Sequence, residues 1–164
     1  MPLKVLWVDD EYDTSQLQDL VERLEDNDIE LTCVKSAKKA QQILQENGKE
    51  YDVILRDLNI LADEEDMKEH NANGIPLSNF LAGLDYHIPQ VFLTGQSERE
   101  KTDEVWIDNI VGNHPIFYKF KEDVLNLHIH LFKAAASGEM YRLRNRFPGI
   151  HEMHKWGFYN DKHI

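Results

Sequence analysis

Lys4-Val5-Leu6-Trp7-Val8-Asp9-Asp10 is an apolar run closed by two acids, and the chain repeats that design three more times. Asp57 closes Asp52-Val53-Ile54-Leu55-Arg56, Thr94 closes Gln90-Val91-Phe92-Leu93, and Lys119 closes Pro115-Ile116-Phe117-Tyr118. Segments of helical period separate these runs. Leu17, Leu20, Val21 and Leu24 recur at three- and four-residue spacing, as do Ala37, Ala40, Ile43 and Leu44, after which Gly48 is expected to end the helix. Residues 75–84, 98–111 and 121–136 read as three further helices, with Ser36 and Ser97 as caps. Strands that are apolar on both faces and alternate with helices predict an α/β chain: a central parallel sheet with a helical layer on each side.

In an open parallel sheet the carboxyl ends of the strands share one edge, and ligands bind in the crevice there. That edge would gather Asp9, Asp10, Asp57, Thr94 and Lys119 from distant parts of the sequence. Clustered carboxylates repel one another unless a cation sits among them, and an all-oxygen set of this kind suits magnesium. A hydroxyl and an ammonium on the neighbouring strand ends point to a phosphoryl group as the ligand.

Composition excludes several classes. The chain has 164 residues, 41% of them hydrophobic, enough for one ordinary core and a short appendage. A formal net charge of −12 with no segregated basic face argues against direct DNA binding. The single cysteine, Cys33, falls in an expected strand and reads as a buried small side chain, not a reactive thiol. The first apolar run is too short for a signal peptide or a membrane span, which suits a reducing cytoplasm. His128 and His130 lie two apart on an expected helix and cannot share a face, and no third spaced ligand supports zinc. Glycine-rich nucleotide loops are missing.

The acidic pair Asp9-Asp10, Asp57, Thr94-Gly95 and Lys119, in this order at these strand ends, resemble the receiver domains of two-component response regulators. The resemblance covers about residues 3–136. It implies a flavodoxin-like sheet of strand order 2-1-3-4-5, with the receiver over residues 1–136 and residues 137–164 as a C-terminal extension. It further implies that Asp57 accepts a phosphoryl group from a histidine kinase or a phosphotransfer protein. Magnesium would be held by Asp10, Asp57 and the backbone carbonyl of Asn59, with Asp9 nearby. Lys119 would pair with the phosphoryl group and Thr94 would turn to bind it, while a small Gly95 leaves its N–H open to approach. Because that ammonium is needed only once phosphate arrives, loss of Lys119 is expected to leave the fold intact. Catalysis here is positioning and charge stabilisation, since a carboxylate nucleophile is already ionised. Such a chain is no enzyme beyond its own phosphorylation and dephosphorylation, and it signals through a protein partner or a homodimer.

Departures from the family pattern mark this chain. Phe120 stands after Lys119 where proline is usual, so a trans bond is expected there. Ile116 occupies the place of the switch aromatic, with Phe117 on the opposite face of the strand. The connection 58–73 is enlarged and acidic, and Gly74 is its displaced end. The output face would carry Trp106, Ile110 and Phe117. Two other readings stand beside the first: a pseudo-receiver that binds proteins without phosphorylation, and a magnesium-dependent phosphatase of related topology, which wants an acid two positions beyond the nucleophile; neither Asp9 followed by Glu11 nor Asp57 followed by Asn59 fits the rest of that pattern well.

Overall fold

Five parallel strands form one sheet: β1 (Leu3–Val8), β2 (Ile29–Val34), β3 (Val53–Arg56), β4 (Gln90–Thr94) and β5 (Ile116–Tyr118), in the order β2-β1-β3-β4-β5. The computed structural model describes residues 2–58, 60, 75–95 and 111–146. Four α-helices lie among them: α1 (Ser15–Asp26), α2 (Ala37–Asn47), α3 (Ile75–Ala82) and α4 (Leu127–Arg146). The expected fold class and strand order are observed. The helix expected over 98–111 and most of the 58–73 connection fall outside the described residues, as does the chain beyond 146.

Alternation along the strands divides the core in two. Val5, Trp7, Leu55, Val91, Leu93 and Phe117 face one side, where Leu17, Leu20 and Leu24 of α1 and Leu127, Leu131 and Ala135 of α4 cover them. Leu6, Val8 and Ile54 face the other and meet Ala37, Ala40 and Leu44 of α2 with Leu77 and Leu81 of α3. Helices α1 and α2 therefore bury the stripes that their three- and four-residue spacing foretold, with Val21 and Ile43 half-buried at the margins. Ser36 caps α2, its hydroxyl accepting from Lys39 N at 3.2 Å.

Two glycines act otherwise than expected. Gly48 keeps right-handed backbone angles (φ −58°, ψ −33°), and the chain passes from α2 into a 3-10 turn at Gly48–Glu50. A Cβ there would run into the Tyr86 hydroxyl, which donates a 2.8 Å bond to the Leu44 carbonyl, so a larger residue would displace that ring. The last helix does not end before Ser137-Gly138. It begins with a 3-10 turn over Glu122–Asn126 and then runs unbroken from Leu127 to Arg146. Gly138 is buried against Pro89, where a Cβ would lie 2.5 Å from the ring, and the Ser137 hydroxyl donates to the Ala134 carbonyl at 2.8 Å. A residue that breaks helices in isolation is here the one that lets the helix approach the loop before β4.

Candidate functional site

The sheet's own hydrogen bonds continue one residue past the strands and lock the polar residues to a common edge. Asp9 N donates to Val34 O at 2.9 Å, Asp57 N to Val8 O at 3.1 Å, and Lys119 N to Thr94 O at 2.9 Å. Each of these four strand-end residues is fixed by register before any side chain acts.

The side chains then converge on one ammonium. Lys119 Nζ lies 2.7 Å from Asp9 Oδ2, 3.0 Å from Asp57 Oδ2 and 3.7 Å from Glu11 Oε2. The second oxygen of each buried acid is held by backbone: Asp9 Oδ1 accepts from Glu11 N at 2.8 Å, and Asp57 Oδ1 accepts from Leu58 N at 2.7 Å. Both carboxylates are thus oriented from two sides. Asp9, Thr94, Asp57 and Lys119 are buried, whereas Asp10 is half-buried.

Burial and charge act against each other here. Asp9 is raised from 3.8 to about 6, first by burial and then by repulsion from Asp57, with Lys119 pulling it back. For Lys119, burial disfavours the ammonium, but Asp57 and Asp9 together outweigh that and hold its pKa above the ordinary lysine value. The ammonium therefore has a structural duty as well. It offsets the repulsion between two carboxylates that share a buried edge.

Asp9, Asp10 and Asp57 each offer an oxygen within 4.8 Å of the others, a spacing and an all-oxygen donor set that fit a divalent cation such as magnesium. Asn59, the fourth expected ligand, lies outside the described residues. Thr94 sits at the end of β4 beside Lys119, as expected. A Cβ at Gly95 would meet Lys119 Cδ at 3.7 Å and Phe120 at 3.8 Å, ordinary contacts, so neighbouring packing does not demand glycine there. All described peptide bonds are trans, Lys119–Phe120 included, and Phe120 is exposed. Ile116 packs against Leu58, Phe92 and Val111, while Phe117 points into the opposite core.

Two charged residues escaped the sequence reading. Glu11 reaches Lys119, and the only sign was its place directly after the acid pair. Arg56 is fully buried next to Asp57. Its Nη1 donates to Ser78 Oγ at 2.9 Å and Gln90 Oε1 at 3.3 Å, and its guanidinium lies 4.8 Å from the centre of the Phe92 ring. Burial pulls Arg56 down to about 10 against the stabilising charge of Asp57. An arginine inside an apolar strand, adjacent to the candidate nucleophile, was the available signal. Cys33 is only half-buried, yet burial, with Glu25 and Asp9 nearby, pushes its thiol up to about 11. His130 is accounted for by packing, its ring 4.6 Å from that of Phe117.

No described helix is long and apolar enough to cross a membrane. No protein-family model and no curated protein matches the sequence. Solved structures do. A response regulator receiver domain protein from Clostridium thermocellum superposes with a TM-score of 0.61 at 20% identity, over 84% of this chain and 97% of that one. A CheY-like receiver domain protein from Methanospirillum hungatei JF-1 gives 0.60 at 16%, over 85% and 98%. The receiver domain of Francisella response regulator 1452 gives 0.58 at 23%, over 82% and 98%. The chain therefore has the fold of the response regulator receiver domains, reached at sequence identities of only 16–23% in these three comparisons.

Proposed function

We propose that this chain is a phosphoacceptor receiver: Asp57 takes a phosphoryl group from a histidine kinase or phosphotransfer protein, and a protein partner in the cytoplasm reads the result. The observation that supports this most is the Asp9–Lys119–Asp57 cluster at the carboxyl edge of the sheet, with Asp10 beside it. Asp57 directs one oxygen at Lys119 and the other at a backbone N–H, so its orientation is set before a substrate arrives. Magnesium, held by Asp9, Asp10, Asp57 and the carbonyl of Asn59, would supply charge neutralisation for the incoming phosphate. Lys119 would offer a point charge to an equatorial oxygen, and Thr94, at the end of β4, would add a hydroxyl. In this reading the chain catalyses only its own phosphorylation and dephosphorylation.

Intact mass after incubation with acetyl phosphate and magnesium tests the proposal. One added phosphoryl group, absent from Asp57→Asn, is the expected result. An unchanged mass would favour the pseudo-receiver reading, which the aliphatic Ile116 in the place of a swinging ring supports.

A further inference from the structure

The two side chains that hold the buried Arg56 guanidinium also line a cavity at the amino edge of the sheet. Gln90 opens β4, and Arg56 stands opposite Phe92, two positions further along, so the arginine side chain runs back toward the start of the neighbouring strand. There the last turn of α3, the chain leading into β4 and His114 before β5 form an open cleft of about 520 Å³. That is the size of a small-ligand site. It lies across the sheet from the carboxyl edge that carries Asp9, Asp57 and Lys119.

Arg56 fixes what the cleft can offer. Its Nη1 donates to Ser78 Oγ at 2.9 Å and to Gln90 Oε1 at 3.3 Å, so both oxygens are turned toward the guanidinium. The serine is left with its hydroxyl hydrogen and the glutamine with its amide hydrogens. Neither group has a further hydrogen-bond partner among the described residues. Because Arg56 is fully buried, its charge polarises these hydrogens away from water. His114 stands beside them, its ring 6.2 Å from that of Phe92, on which the guanidinium packs. Burial first, and then the charges of Arg56 and His87, hold the His114 imidazole below its ordinary pKa. The apolar part of the lining is supplied by Leu81 and Ile88, both buried, whereas Asp85 is exposed.

We propose that this cleft binds a small organic anion, a carboxylate carried on an apolar body. The carboxylate oxygens accept from the Gln90 amide and the Ser78 hydroxyl, and the apolar body lies on Leu81 and Ile88. Three features select this class. Hydrogens without a partner call for an acceptor, a buried positive charge behind them favours a negative one, and the two buried aliphatic side chains favour an apolar surface. Inorganic phosphate meets the first two and leaves the third unused. The one carboxylate of the lining, Asp85, opposes the anion, which therefore sits at the end held by Ser78 and Gln90.

The test requires no phosphorylation, so it is independent of the phosphoacceptor reading. Benzoate is titrated into the full-length chain and followed by NMR at the Gln90 side-chain amide and the His114 ring. Saturable shifts at both are expected, with a dissociation constant on the order of 1 mM for so small a probe. Benzamide and benzylammonium should bind at least about tenfold more weakly. Gln90→Glu keeps an oxygen for Arg56 but replaces the amide hydrogens by a charge, and it should weaken benzoate at least about tenfold with the circular dichroism unchanged. Asp85→Asn, at an exposed position, should tighten benzoate about twofold by removing a like charge. No saturable shift up to about 20 mM benzoate, equal binding of benzamide or benzylammonium, an affinity indifferent to Gln90→Glu, or one weakened by Asp85→Asn would each overturn the proposal.

Discussion

Replacing Asp9 by asparagine should stabilise the metal-free protein at neutral pH and remove its response to magnesium. Asp9 is fully buried and its carboxyl is raised from 3.8 to about 6, so the ionised form that prevails at pH 7.5 is disfavoured by the fold. At about 1.4 kcal/mol for each tenfold in the proton equilibrium, the displacement amounts to at most about 3 kcal/mol. Asparagine keeps the shape without the charge but gives up the Lys119 contact, so a gain of about 1–3 kcal/mol is expected. In a chain of this length that corresponds to roughly 3–10 °C in Tm. Between about pH 4 and 6 the folded wild type retains a proton on Asp9 that the unfolded chain has released. The contribution of this group to stability therefore falls as pH rises through that window and is constant above it. The advantage of Asp9→Asn should be near zero at pH 4 and complete by pH 7.5. Magnesium should reverse the order, since an ion at a hundred times its dissociation constant adds about 2.7 kcal/mol to the form that binds it. Thermal melts of both proteins across pH 4–8, with and without magnesium, measure all of this. A variant less stable than wild type at pH 7.5 without metal, or a difference that does not vary with pH, would refute the reasoning.

Lys119→Met should cost about 3–5 kcal/mol in urea unfolding at pH 7, because Asp9 and Asp57 are left facing each other without the ammonium, and magnesium should restore part of it; a loss below about 1 kcal/mol would contradict the charge argument. Gly138→Ala should destabilise by about 1–3 kcal/mol despite the better helix propensity of alanine, since the new Cβ would lie 2.5 Å from Pro89, and thermal denaturation will show the sign. The Cys33 thiol, pushed up to about 11, should react with a disulfide reagent at pH 7.5 roughly two to three orders of magnitude more slowly than free cysteine, and an ordinary rate would show that the site opens.

The fold was legible because its signals are local and concordant. Apolar runs of four to six residues closed by Asp9, Asp57, Thr94 and Lys119 could be placed on one edge from strand direction alone, and the structure brings the first two to Lys119 within 3.0 Å. What sequence could not show is which groups become fully desolvated. Arg56 is covered completely, and Ser78 and Gln90, 22 and 34 residues away, offer it oxygens that no local pattern announces. The helix expected to end at residue 136 runs on past Gly138, and the contact with Pro89 that accommodates glycine there comes from tertiary packing. The role of Lys119 as a structural counter-ion was likewise hidden, since no spacing rule reveals how completely Asp9 and Lys119 are removed from water at that edge.

The charge of the cluster bears on both stability and the proposed phosphoryl transfer. Asp9, Asp10, Asp57 and Lys119 carry a formal charge of −2 at neutral pH, three carboxylates against one ammonium. A divalent cation would cancel it. A phosphoryl group on Asp57 would then replace one carboxylate charge with roughly two from phosphate, and Lys119 Nζ already lies 3.0 Å from Asp57 Oδ2. To follow the phosphoryl group the ammonium has to loosen its 2.7 Å contact with Asp9, the buried acid whose ionised form is already disfavoured. In the proposed reaction the acid least content with its charge would thus lose its partner. Metal coordination would have to replace that partner, so metal occupancy and phosphorylation would be coupled through Asp9.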